Sequence, residues 1–371
     1  MQSMDFSRIP PLATIRVEAF RAYAEEEQLQ HMRELLKLSP VGRAVFENTE
    51  NGRRYGMNRD WLTKAKDYWL SQFHWRKHEE RINSFPNFKA SITDDGDTTE
   101  IHFVALFSEK SDAIPIAFFH GWPGSFLEFL DLLDILRKRY TSADLPYHVI
   151  VPSLPGYAYS SGPPSNKDYS TDQATRVLDK LLTGLGFDAY LAQGGDIGST
   201  VARLLAANYP SCKGMHLNMI GIPPPTNHEN LPVDDLEKRA MSKGEDFSNT
   251  GTAYALEHGQ RTATIGLALS SSPLALLSWI GEKFLEWTDE DPPIEKILES
   301  VTLYWLTETF PRCIYPYRGV GSPRRSTLYL SKEVPLMIRF AERRRRCEAQ
   351  DRANEECAHQ LQSRSTSTVH H

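Results

Sequence analysis

The chain has 371 residues, 40% of them hydrophobic and 24% charged, which is the composition of a globular protein and not of a disordered or fibrous one. That length holds one large α/β domain with insertions, or two smaller domains. A net charge of −6 argues against nucleic acid as a partner, and residues 1–20 mix Asp, Arg, Glu and Pro without an apolar run of membrane length. The four cysteines, Cys212, Cys313, Cys347 and Cys357, lack metal-ligand spacing, so the expectation is no metal and a reducing, cytoplasmic compartment.

Residues 1–95 read as an N-terminal unit. Residues 10–17 suit an edge strand. Residues 25–37 place Leu29, Met32, Leu35 and Leu36 on one helical face. A second helical stretch, 60–81, carries Trp61, Leu62, Tyr68, Trp69, Phe73 and Trp75, an aromatic stripe more typical of core or docking surface than of a cofactor box. Residues 88–107 alternate around Asp94-Asp95-Gly96-Asp97, the pattern of a hairpin that opens a sheet. Between 96 and 222, apolar strands at 114–119, 148–151, 190–193 and 215–220 alternate with amphipathic helices at 126–140 and 171–185. Such alternation predicts a mostly parallel sheet with helices on both faces. Pro223-Pro224-Pro225 ends the last strand and opens an excursion over 223–312, whose stretch 267–305 is apolar enough to cover a pocket. This is the place for a helical lid that keeps water from a reactive intermediate. Residues 313–340 read as a partial return to the core, and 341–371 as a polar, disordered tail.

Two motifs carry chemistry. Gly194-Gly195-Asp196-Ile197-Gly198 stands between the strand at 190–193 and a helix at 199–208, the layout of a nucleophile elbow with aspartate in place of serine. A carboxylate needs no proton removed before it attacks a saturated carbon, and the product is an ester that water must later cleave. Any Gly-rich strand-to-helix turn looks similar, so this motif alone leaves the catalytic and the structural readings open. The strand at 114–119 ends in His120-Gly121-Trp122-Pro123-Gly124-Ser125. A strand followed by His-Gly-x-Pro usually supplies an oxyanion donor, which here predicts Trp122 N–H and Ile197 N–H as the pair facing the carboxyl oxygen of an Asp196 ester. His120, at a strand end, is expected to brace the loop.

With these motifs, residues 120–129, 151–164 and 194–199 resemble the microsomal-type epoxide hydrolases, especially their soluble fungal branch. The likeness runs from about residue 58 to about residue 318. It implies an α/β-hydrolase fold with an N-terminal segment wrapped around the catalytic domain, and the cofactor-free conversion of an epoxide to a vicinal diol with Asp196 as nucleophile. It also implies two lid tyrosines that hydrogen-bond the epoxide oxygen. Tyr254, in Gly251-Thr252-Ala253-Tyr254-Ala255, matches the first; Tyr317, in Cys313-Ile314-Tyr315-Pro316-Tyr317-Arg318, matches the second, with Tyr315 a weaker claimant. A phenol with a pKa of about 10 can protonate the alkoxide of an opening ring and still be protonated at neutral pH. A small epoxide is the implied partner, with no membrane span; the assembly is left open, a homodimer included.

The resemblance breaks after Arg318. The fold calls for a histidine base, held by a second carboxylate, after the lid. Beyond Arg318 there is no recognisable pair of apolar strands, no strand-end acid and no histidine in a Gly-rich apolar setting; His359, His370 and His371 lie in polar sequence, and residues 343–346 are a run of arginine. The expectation is a fold whose terminal strands and helix are missing, as after a frameshift, a misread final exon or gene decay. The strand at 215–220 would then be an open edge, and the hydrolytic half-reaction would be impaired. His258, four residues after Tyr254, shares its helical face and is the one body histidine with a claim as substitute base. Two alternatives stand beside this reading: a catalytically dead ligand-binding paralogue, and a haloalkane dehalogenase with the same aspartate elbow.

Overall fold

The computed structural model describes residues 5–49, 53–220 and 231–319, together with the backbone of a strand at Leu336–Ile338. Its strands are β1 (Val17–Ala19), β2 (Asn87–Asp94), β3 (Asp97–Leu106), β4 (Ile114–Phe119), β5 (Tyr147–Pro152), β6 (Tyr190–Gly194), β7 (Cys212–Leu217) and β8 (Leu336–Ile338). They form one sheet in the order β1-β2-β3-β5-β4-β6-β7-β8. Pairing is antiparallel from β1 to β5 and parallel from β5 through β4, β6 and β7 to β8. The β2–β3 hairpin turns on Asp95 and Gly96, with φ of 51° and 81°, the mirror-image turn whose twist matches that of the strands it joins.

Between β1 and β2 the described residues form four helices: α1 (Glu26–Leu38), α2 (Phe46–Thr49), α3 (Arg59–Ser71) and α4 (Trp75–Asn83). The stretch read from sequence as one helix over 60–81 is therefore two. The break at 72–74 lets Phe73 and Trp75 both turn inward, and the N–H groups of Gln72 and Phe73 both close on the carbonyl of Tyr68. The edge strand expected at 10–17 sits at Val17–Ala19; ahead of it, Thr14 N–H donates to the Gly184 carbonyl at 2.8 Å. α5 (Leu130–Arg139), α6 (Thr171–Gly184) and α7 (Ile197–Asn208) flank the sheet. α6 starts at a reciprocal cap between Ser170 and Gln173 and buries Val177, Leu178, Leu181 and Leu182 on the face its spacing predicts.

After β7 come α8 (Asp235–Thr250), α9 (Ala253–Gln260), α10 (Thr262–Leu269), α11 (Pro273–Glu286), α12 (Ile294–Leu306) and α13 (Thr309–Cys313). The N-terminal helices pack on this group: α1 and α3 against α11, and α4 against α12. Ser39 and Ser272 share a hydroxyl hydrogen bond of 3.0 Å, and Arg53 grips Asp291 with two nitrogens at 2.8 and 2.7 Å. No single helix among the described residues is long and apolar enough to cross a membrane.

The C-terminal expectation needs a correction. Leu336–Ile338 forms β8, parallel to β7, with Met215 opposite Leu336 and Leu217 opposite Ile338. One terminal strand is thus present, and the edge of β7 is paired along these residues. The strand escaped the sequence reading because a parallel strand shows as a short apolar run without alternation, here brief and following Pro335. The expectations about a further strand, a closing helix and the tail fall outside the described residues.

Candidate active site

β4 lies between β5 and β6, so the chain leaves it to one side for β5 and crosses to the other for β6. At such a reversal the carboxyl ends of the strands diverge and leave a crevice. β4 runs out there into residues 120–125, and β6 into Asp196.

Asp196 sits on the turn from β6 to α7 with φ 49° and ψ −123°, a sparsely populated conformation for a residue with a Cβ. Two close approaches hold it. A Cβ on Gly194 would lie 2.0 Å from the Gly198 carbonyl oxygen, and one on Gly198 would lie 2.1 Å from that of Phe119, so only glycine fits at either position. Asp196 is itself partly buried. Trp122 N–H donates to its Oδ1 at 2.8 Å, and Ile197 N–H donates to the same carboxyl. Burial pushes the Asp196 pKa up, and these two donors pull it part of the way back.

His120 is buried and neutral, its pKa lowered to about 4 by burial. Its Nε2 accepts from Leu154 N–H at 3.1 Å, which puts the proton on Nδ1, 3.2 Å from the Gly121 carbonyl. The ring thereby ties the loop after β4 to the loop after β5, the bracing expected of it. From the other side the Tyr304 hydroxyl on α12 donates to the Gly124 carbonyl at 2.8 Å.

The two tyrosines singled out from sequence converge on the indole of Trp122. Tyr254, on α9, stacks on it at 5.3 Å and 13°, and Tyr317 meets it edge-on at 6.0 Å. Tyr254 and Tyr317 lie 5.7 Å apart and are hydrogen-bonded through their side chains. Burial, with Asp196 nearby, raises the Tyr317 pKa well above its ordinary value and keeps the phenol protonated. Tyr315 is directed elsewhere, packing edge-on against Tyr169 at 5.3 Å. The structure therefore groups Asp196, Trp122, Ile197, Tyr254 and Tyr317 and leaves Tyr315 outside.

His258 joins this group but not as a base. It is fully buried, 4.6 Å from Trp122 and 4.8 Å from Tyr317 between ring centres. Its Nε2 accepts from the Trp279 indole N–H at 2.9 Å, and burial lowers its pKa to about 3. The lone pair a base would use is occupied, so the reading of His258 as a substitute base is set aside. Two residues that the sequence did not single out also lie here. Lys283, paired with Glu282, stands 4.9 Å above the Tyr254 ring. Glu128, in the short turn Phe126–Phe129 after Ser125, is near enough to Asp196 to feel its charge. Its only signal in the sequence was an acid between Leu127 and Phe129, in a run otherwise apolar.

The family of the alpha/beta hydrolase fold matches residues 114–278, which states the class of protein. The family described as Epoxide hydrolase N terminus matches residues 17–129. A Dothistroma septosporum protein assigned as an epoxide hydrolase is 48% identical over 322 residues, covering 85% of this chain and 77% of that one. Epoxide hydrolase 1 of Oryctolagus cuniculus is 31% identical over 331 residues, covering 78% of this chain and 70% of its own. The solved structure of Aspergillus niger epoxide hydrolase superposes with a TM-score of 0.85 at 45% identity, covering 90% of this chain and 86% of that one. The chain belongs to the epoxide hydrolase family, hydrolases that need no cofactor and work through an aspartyl ester. Neither the dehalogenase nor the dead-paralogue alternative gains support from these likenesses.

Proposed function

We propose that this chain opens a small epoxide to a vicinal diol through an ester on Asp196. Asp196 Oδ attacks a ring carbon, the carbon–oxygen bond of the ring breaks, and Tyr254 or Tyr317 gives its proton to the oxygen released. Water then adds to the ester carbonyl, whose oxygen takes up negative charge facing Trp122 N–H and Ile197 N–H. The observation that carries this reading is the convergence on Trp122. Its backbone N–H holds the Asp196 carboxyl at 2.8 Å while its ring carries both tyrosines. The helices from 253 to 313 act as a lid over the site, and residues up to about 95 wrap the catalytic domain and brace that lid. A cytoplasmic setting fits the same reading.

The test is intact mass after mixing the purified chain with excess styrene oxide, with Asp196→Asn as control and diol assayed in the same tube. The expected result is one covalent addition or diol from the parent chain and neither from the variant. A folded parent chain that gives neither product would sink the proposal.

A further inference from the structure

Ring opening moves a negative charge. As Asp196 Oδ bonds to the ring carbon, the epoxide carbon–oxygen bond breaks and its electron pair takes a proton from a lid phenol. The charge that began on the Asp196 carboxylate therefore ends on a tyrosine phenolate. A phenolate removed from bulk water is costly without a positive or donating partner. α11 supplies a positive one, Lys283. Its Nζ stands over two aromatic faces, 4.9 Å from the centre of the Tyr254 ring and 5.6 Å from that of Trp287. Both distances are within the reach at which an aromatic face attracts a cation.

Lys283 occupies a position where α11 otherwise buries hydrocarbon. Leu276, Ile280 and Lys283 follow at helical spacing along its buried face, and Lys283 is only 6% exposed. Lysine is rarely buried so far unless paired, and an apolar side chain here would avoid the cost of dehydrating an ammonium. Its carboxylate partners, Glu282 and, at 4.0 Å, Glu286, keep 27% and 46% of their side-chain surface. Water screens these outer charges more than it screens the ammonium, so the field of Lys283 at Tyr254 is reduced but not cancelled. His258, 5.4 Å from Tyr254 between ring centres, adds no charge: burial first, and then the Lys283 charge, lower its pKa to about 3. Tyr317 feels the Asp196 anion, which helps to raise its pKa. The two phenols are thus unlike, one beside an anion and one beneath a cation.

We propose that Lys283 is a positioning residue for ring opening, whose ammonium stabilises the phenolate formed when Tyr254 gives its proton to the epoxide oxygen. The inference rests on the function proposed above and divides the work of the two tyrosines. Tyr254 gives the proton, and the Tyr317 hydroxyl, hydrogen-bonded to it, donates to the phenolate oxygen left behind. Lys283 keeps its own protons throughout. Hydrolysis of the ester then consumes one water and releases diol, the Asp196 carboxylate and one proton, which restores the Tyr254 phenol. Charge and protons balance over the cycle.

The experiment follows adduct and diol in single turnovers of styrene oxide, across neutral to alkaline pH, for the parent chain, Lys283→Met, Lys283→Arg and Glu282→Gln. Lys283→Met keeps the length of the side chain without its charge. It should slow ester formation about 10-fold and move the alkaline arm of the profile, where the donor phenol loses its proton, to higher pH. Lys283→Arg should restore both in part. Glu282→Gln removes the nearer countercharge and should move the same arm to lower pH, so it decides the matter even if Lys283→Met does not fold. Ester formation at the parent rate in Lys283→Met, or an alkaline arm that Glu282→Gln leaves in place, overturns the proposal. Equal slowing in Lys283→Met and Lys283→Arg with the arm unmoved also overturns it, since packing alone would do that. No adduct and no diol from the parent chain would instead remove the ester reading beneath it.

Discussion

Mild acid should unfold this protein through three buried histidines. His102 bonds Ser153 Oγ at 2.9 Å and Asn87 Oδ1 at 3.0 Å, and burial lowers its pKa to about 3. His120 stands at about 4 and His258 at about 3, both for the same reason. In the unfolded chain each returns to about 6.5. The unfolded state therefore binds protons that the native state refuses, and stability is intact above about pH 6.5 and falls as the pH drops toward the folded values. Between pH 7 and pH 5 each histidine costs about 2 kcal/mol, and the three together about 6 kcal/mol, within the range of a whole domain's stability. Glu128 works in the opposite direction: with its pKa raised to about 8, the stability it contributes is full in acid and is lost as the pH rises through that value. Its accessible surface lets water screen it, so the histidines dominate. Urea midpoints at pH 7 and pH 5 measure the loss. His258→Gln, which keeps an acceptor for the Trp279 indole, should recover about a third of it, while Glu128→Gln should steepen it. A midpoint unchanged between the two pH values, with an unchanged urea slope, would refute the reasoning.

Gly198→Ala should fail to give folded protein, because a Cβ there meets the Phe119 carbonyl at 2.1 Å; soluble yield and circular dichroism report it. Tyr304→Phe removes the donor to the buried Gly124 carbonyl and should cost about 1–3 kcal/mol in a urea melt. Tyr254→Phe and Tyr317→Phe should each slow ester formation, about 10²–10⁴-fold where the remaining phenol cannot compensate, with the decay of any adduct affected less. Single-turnover mass spectrometry separates the two steps, and an effect confined to decay would place the tyrosines outside ring opening.

The sequence by itself determined the parts of this protein that are local in the chain. The elbow at Asp196, the loop at 120–125, the hairpin turn at Asp95-Gly96 and the amphipathic face of α6 are each written in a few neighbouring residues, because backbone sterics and side-chain periodicity act over such distances. Tyr254 and Tyr317 were found only through family resemblance, since nothing in their spacing distinguishes them from the other tyrosines. Tertiary structure alone decided the rest. It bent the predicted helix over 60–81 into two so that Phe73 and Trp75 could both be buried, and it laid Leu336–Ile338 beside β7. It gave the Nε2 lone pair of His258 to an indole 21 residues away and turned a base candidate into a packed neutral ring. It also brought Trp122 N–H to within 2.8 Å of the carboxyl of Asp196, which lies 74 positions further along the chain, by joining two strand ends at the point where the sheet reverses its order. Contacts of that kind depend on strand order and burial, which no run of neighbouring residues encodes.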